Sequence, residues 1–155
     1  MAELELYYNN KIIKNNDFLT PNETKEEPII KYKYVPTKKY ILIMYDPDAV
    51  KGTYIHWLII NIKGDNISNG KTILQYNGPA PPHGSGEHRY IFEIYEQNNI
   101  PNIENINKEG RIISIDTLHL LTFQTPIKFS FFLNYNLYTI FENYNFYYDN
   151  QPNHF

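Results

Sequence analysis

Asp46 and Asp48 stand two residues apart across Pro47, in a chain with few residues able to do chemistry. In an extended segment, residues i and i+2 project to one side, and the proline between them narrows their freedom. Both carboxylates are therefore expected to share one site. Like charges that close do not both ionise comfortably, so either one proton is retained or a cation sits between them. His56 in the next segment is one candidate partner and Arg89 is another. The plain alternative is that Asp46 caps the turn and pairs with Arg89. A second reactive stretch reads Tyr76-Asn77-Gly78-Pro79-Ala80-Pro81-Pro82-His83-Gly84-Ser85-Gly86-Glu87-His88-Arg89-Tyr90. Its prolines fix φ and remove backbone donors, while Gly78, Gly84 and Gly86 permit close approaches or conformations that a Cβ would forbid. Such a stiff loop either holds the wall of a small-molecule site or is a simple crossover between strands.

Asp46, Asp48, His56 and His88 are acceptable metal ligands by type, yet their spacing matches no compact motif, so no metal and no cofactor are expected. Hydrolytic chemistry has less support. The chain lacks a Gly-x-Ser-x-Gly elbow, a His-Glu-x-x-His pair and a Gly-x-x-x-x-Gly-Lys phosphate loop. Ser85, Ser114 and Ser130 are the available hydroxyls for a triad, and none stands in a recognisable nucleophile context. With no cysteine there is also no thiol nucleophile, disulfide framework or zinc–thiolate site. A non-enzyme is the expectation.

These residues must be held by strands. Fifteen tyrosines and nine phenylalanines, with 42% hydrophobic residues, favour a β-rich globular protein, and 155 residues suit one domain over 1–155. Ile29 to Val35 alternates as a half-buried strand ending at Pro36. Tyr40 to Tyr45 is an unbroken apolar run, fitting a central strand covered on both faces. Tyr54 to Ile62 is the next central strand, carrying His56 and Trp57. Lys71 to Tyr76 is a short strand. Arg89 to Gln97 alternates, with Tyr90, Phe92 and Ile94 on one face and Arg89, Ile91 and Glu93 on the other. His88 and Tyr90 then face the same way, and Arg89 faces away as support. Residues 1–28 are expected to form short strands and loops, 98–110 a loop or frayed helix, 111–123 a helix or strand, and 128–133 a strand.

A formal net charge of −3, with no long basic run, argues against a nucleic-acid partner. No apolar run is long enough to span a membrane and the N-terminus lacks a secretory pattern, so a cytoplasmic protein is expected, with peripheral lipid contact left open.

Asp46-Pro47-Asp48-Ala49, His56-Trp57-Leu58-Ile59-Ile60-Asn61-Ile62, Gly78-Pro79-Ala80-Pro81-Pro82 and Gly86-Glu87-His88-Arg89-Tyr90-Ile91-Phe92 follow one another in order. Together they resemble the phosphatidylethanolamine-binding protein family, which includes Raf kinase inhibitor proteins. The resemblance covers roughly residues 40–97. It implies a mostly β, antiparallel β-sandwich with a central sheet, few short helices and a small anion pocket at one end. Carried over motif by motif, the pocket falls on Asp46, Asp48, His56, Pro82, His88 and Tyr90, supported by Gly78, Gly86, Arg89 and Trp57. The implied ligand is a small anion or phospholipid head group, held more tightly below about pH 6.5, where histidines charge. A kinase or protease is the implied protein partner. The alternative is a protein–protein interaction factor with a vestigial pocket. Val50 departs from the proline that usually follows Asp-Pro-Asp-Ala, which implies a looser turn. The C-terminal family pattern is not matched at Pro126-Ile127-Lys128-Phe129. Tyr144, Tyr147 and Tyr148 are either a substitute lid or packing residues.

Overall fold

A computed structural model describes residues 4–98, 106, 110–114, 116 and 127–134. The readings on residues 99–105, most of 115–126 and the tail, including Tyr144, Tyr147 and Tyr148, lie outside them. The described chain is β-rich: β1 (Leu4–Tyr8), β2 (Lys11–Ile13), β3 (Ile29–Tyr32), β4 (Lys39–Asp46), β5 (Thr53–Lys63), β6 (Lys71–Leu74), β7 (Glu87–Glu96), β8 (Ile112–Ile113) and β9 (Ile127–Asn134), with one 3-10 turn at Ile67–Asn69. All pairings are antiparallel. Three strands form a small sheet in the order β2-β1-β3. The larger sheet runs β6-β5-β4-β7-β9, with β8 paired to the start of β5.

The apolar run of β4 is buried from Tyr40 onward because the large sheet is covered on both faces. Between the sheets, Leu6, Tyr8, Ile30 and Tyr32 of the small sheet pack with Leu42, Met44, Trp57, Phe92 and Phe131 of the large one. On the other face, Ile41, Ile43, Tyr45, Ile55, Leu58 and Ile60 meet Tyr95, Ile106 and Ile113. The N-terminal residues, polar in sequence, supply strands because Leu4, Leu6 and Tyr8 alternate inward against this core.

The large sheet is irregular along β5. Met44 faces Trp57 and Tyr45 faces Ile55, which leaves His56 as an extra residue. A second extra residue falls between Ile59 and Ile62, opposite Tyr40 to Leu42. Here Asn61 takes the left-handed conformation (φ 57°), which asparagine tolerates. Its N–H donates to the Gln97 Oε1 (2.8 Å), and Gln97 Nε2 donates back to its Oδ1 (2.9 Å).

Glu93 is fully buried on the face opposite Tyr90, Phe92 and Ile94, because the second face of β7 is also covered. Its carboxylate accepts hydrogen bonds from the hydroxyls of Tyr45 (2.8 Å) and Tyr95. Burial, then the neighbouring carboxylate, drives the Tyr45 phenol far above its ordinary range, so it stays a donor. Replacing Tyr45 with Phe keeps the ring and removes one donor from a buried acid. Urea unfolding is expected to show a loss of about 1–3 kcal/mol, and an unchanged midpoint contradicts this account of Glu93.

Candidate functional site

Where β4 runs out and β7 begins, the backbone ladder between them stops at Tyr45 opposite Ile91. Side chains take over from there. Asp46 Oδ1 accepts from the Asp48 N–H (2.7 Å), fixing the turn after the strand, and its Oδ2 lies 2.7 Å from His88 Nδ1. Both residues are buried, His88 to 1% exposure. Asp48 turns outward instead: its carboxylate accepts from the Arg89 backbone N–H (2.8 Å), Nε (2.9 Å) and Nη2 (2.8 Å). The two acids expected to share one site are thus sent to different partners. The extended geometry that would align i and i+2 ends where the chain turns after Asp46. Asp46 does cap the turn, but Arg89 belongs to Asp48.

A cavity of about 360 Å³ opens inside this frame. Asp46, His56, His88 and Tyr90 line it together, with Tyr54, the Asn77–Pro82 loop, the turn at 49–51 and Ile112 completing the wall. Pro82 and Gly78 are therefore at the cavity; Asp48, Gly86, Arg89 and Trp57 are not among its lining residues. Trp57 lies in the inter-sheet core, its ring edge-on to Tyr76 at 5.2 Å. Gly86, at φ 82°, sets a left-handed bend just before β7. The Val50 turn is closed by a bond from the Gly52 N–H to the Ala49 carbonyl (3.2 Å), with Val50 itself 77% exposed at the rim beside Lys51.

The bulge in β5 sets His56 and Trp57 on one side of the sheet. Trp57 faces the inter-sheet core, yet His56, its neighbour in sequence, also reaches that side, its ring 5.2 Å from Tyr90 and 4.7 Å from Tyr54. Alternation from Tyr54 and Ile55 already puts His56 on this side, and the extra residue returns Trp57 to it as well. His56 Nδ1 lies 2.5 Å from the Asn77 carbonyl oxygen, which only accepts, so Nδ1 carries the proton. The Asn77 N–H donates back to the His56 carbonyl at 2.9 Å, and its Nδ2 donates to the Tyr54 hydroxyl at 2.8 Å. Burial pulls the His56 pKa below its ordinary value. The Asn77 carbonyl and Asp46 offset this in part, while Arg111 and His88 add to it. Tyr90 is driven the other way, well above its ordinary range, by burial and then by Asp46 and Asp48. Its hydroxyl remains a donor.

Two positioning groups escaped the sequence reading. Arg111 donates to the carbonyls of Ile55 (3.1 Å), His56 (3.1 Å) and Gln75 (2.8 Å), tying β5 to the chain that enters the loop. It acts on carbonyls, which have no sequence signature. Tyr76 joins the loop to the small sheet: its hydroxyl donates to the Thr24 carbonyl (2.6 Å) and meets the Tyr8 hydroxyl (2.8 Å). Gly78 passes so close that a Cβ there would stand 3.0 Å from the Thr24 oxygen and 3.3 Å from that of Lys25. That approach explains the glycine.

His88 Nε2 is buried and has no hydrogen-bond partner among the described residues. Nor do three His, Asp or Glu side chains among the described residues converge as metal ligands. Among them, too, no helix is long and apolar enough to cross a membrane.

Hydrogen bonds from Arg89 hold the Asp48 carboxyl below its usual range. A depressed folded-state pKa gives stability that is present above the unfolded value and lost as pH falls through the folded one. Because the pair is partly exposed, Asp48→Ala is expected to cost about 0.5–1 kcal/mol near neutrality. The difference from wild type should shrink as the pH is lowered toward about 3. Chemical unfolding at both pH values checks it, and a pH-independent difference assigns the loss to something other than this ion pair.

Comparison with known proteins places the same architecture elsewhere. The phosphatidylethanolamine-binding protein family model matches residues 9–132. The 26 kDa secreted antigen of Toxocara canis is 33% identical over 97 residues, covering 59% of this chain and 37% of the antigen. A Drosophila melanogaster relative is 35% identical over 101 residues, covering 61% of this chain and 48% of its own length. The chain thus spans less than half of the curated relatives it matches. A phosphatidylethanolamine-binding protein from Plasmodium vivax superposes with a TM-score of 0.68 at 22% identity, covering 84% of this chain and 83% of that one. A carboxypeptidase Y inhibitor, solved with its cognate proteinase, gives 0.67 at 20% identity, over 84% and 81%. At these identities the solved structures speak for the fold. With the family model spanning most of the sequence, the chain belongs to the phosphatidylethanolamine-binding protein family.

Proposed function

We propose that this protein is a non-enzymatic binding protein whose cavity takes the anionic head group of a small phosphorylated molecule or phospholipid. The observation that carries this reading is the buried His88 Nε2, which has no partner among the described residues in the wall of a cavity it shares with His56, Tyr90 and Asp46. An unsatisfied buried polar atom costs about 1–3 kcal/mol, and a bound ligand offsets that cost. The cavity volume of about 360 Å³ suits a head group, not acyl chains. Asp46 holds the His88 ring, as an acid does in a catalytic triad, but no hydroxyl among the described residues completes one. The Ser85 hydroxyl donates to the Pro82 carbonyl (2.6 Å) instead.

In this reading Asp46, His56, Pro82, His88 and Tyr90 form the binding wall, and Asp48 with Arg89 braces it from outside. Modulation of a kinase or protease is the wider role we attach to it. A protease-bound inhibitor of the same fold supports that direction.

Titration with phosphorylethanolamine, followed by amide and imidazole NMR shifts at about pH 6 and about pH 7.5, tests the proposal. Shifts are expected at His56, His88 and Gly78. His88→Ala should weaken binding by about tenfold or more. Spectra that do not move at either pH rule the reading out.

A further inference from the structure

Both cavity histidines are fixed in the same tautomer. His56 Nδ1 donates to the Asn77 carbonyl, and His88 Nδ1 donates to the Asp46 carboxylate. In each neutral ring the proton is therefore committed away from Nε2, which is left as an acceptor. Asp46 adds a carboxylate to the same wall. The neighbouring loop supplies few donors to balance these. Pro81 and Pro82 have no N–H and the Asn77 N–H is spent on the His56 carbonyl, which leaves Gly78 and Ala80 as the loop's N–H-bearing lining residues. The Tyr54 hydroxyl, which accepts from Asn77, and the Tyr90 hydroxyl provide O–H groups.

Around the two rings the described elements bring these charged and titratable groups. Asp46 and Asp48 belong to β4 and its turn, Tyr54 to β5, and Arg89 and Tyr90 to β7. Arg111 precedes β8, and Lys51 stands at the rim. Asp48 and Arg89 neutralise each other, and the Arg111 guanidinium is spread over three carbonyls. Lys51 attracts any anion of a given charge equally.

Resting on the anion-binding reading above, we infer that the cavity selects an oxyanion that carries its own proton: hydrogen phosphate is taken and sulfate is refused. At mildly alkaline pH both are tetrahedral dianions of similar size, so steric fit and net charge do not separate them. Hydrogen phosphate donates its P–O–H to an imidazole Nε2 and offers its remaining oxygens to Tyr54 and Tyr90. Sulfate has no proton to donate. It must bring the histidine to its charged form with a proton from solvent, at a cost that grows as the pH rises. Once the rings are charged, each Nε2 becomes a donor and the discrimination is lost.

Calorimetric titration of the full chain with sodium phosphate and with sodium sulfate, at matched ionic strength, decides the matter. At about pH 8, phosphate is expected to bind about tenfold or more tightly than sulfate. At about pH 5.5 the preference should be smaller, because a charged ring donates from Nε2 to either anion. A His88→Gln variant places an amide whose N–H can donate without protonation, and it should raise sulfate affinity toward that of phosphate at the higher pH. Equal wild-type affinities at about pH 8 overturn the inference while leaving anion binding intact. Failure of both anions to bind at both pH values overturns the binding reading and this inference with it. The wild-type comparison decides the outcome even if the variant does not fold.

Discussion

The hydrogen bond between Asp46 and His88 closes the large sheet where its backbone ladder ends, and the cavity depends on it. A buried carboxylate is tolerated only when donors are delivered to it. Asp46 receives one from the turn that follows it and one from a strand forty-odd residues away. The same acid therefore sets the exit of β4, the entry of β7 and the tautomer of the histidine. Remove it and three things loosen together. Asp48 repeats the arrangement on the outside, standing in for ladder bonds by accepting from the Arg89 main chain as well as its guanidinium.

A comparison of the two buried acids separates scaffold from site. Glu93 lies on the far face of the sheet, between tyrosine hydroxyls that hold its carboxylate within the core. That cluster contributes to the fold. Asp46 is also satisfied, but its partner His88 passes the deficit on: one ring nitrogen is bonded and the other is left without a described partner at a cavity wall. An unmet polar atom on a packed, rigid frame is what distinguishes a place for a ligand from a structural polar network. The β5 bulge joins site to scaffold: His56 faces Tyr90, and the extra residue lets Trp57, next in sequence, pack into the inter-sheet core on the same side.

Much of this frame was legible in the residues. The apolar runs at Tyr40–Tyr45 and Tyr54–Ile62 gave β4 and β5 because long continuous apolar segments fit a doubly covered sheet, and the alternation from Arg89 gave β7. What escaped was whatever depends on a departure from regularity or on tertiary cover. Two acids at i and i+2 look paired until the chain turns after Asp46, which separates Asp48 from Asp46. Alternation put Glu93 opposite Tyr90 and Phe92 but left its burial open, because a two-period pattern does not report whether the second face is covered. A bulge cannot be seen in a run such as Tyr-Ile-His-Trp-Leu-Ile-Ile, so the placing of His56 and Trp57 on one side was not readable. Arg111 acts through carbonyls contributed by residues whose side chains are irrelevant to the contact.

The cavity has two owners. Its histidines and Asp46 belong to the large sheet, while its loop wall is fastened to the small one through Tyr76, whose hydroxyl meets Tyr8 of β1 and the Thr24 carbonyl. Thr24 is itself locked into a turn by Thr20 and Pro21 carbonyls. The wall is therefore set by how the sheets pack on each other as well as by the strands that carry the polar groups. Close-packed interfaces transmit small displacements instead of absorbing them. Gly78, pressed against the Thr24 and Lys25 backbone, leaves no slack for the loop to follow a shift independently. In a fold whose members put one scaffold to different uses, this coupling offers a route to retuning the pocket from the N-terminal sheet, without touching Asp46, His56 or His88.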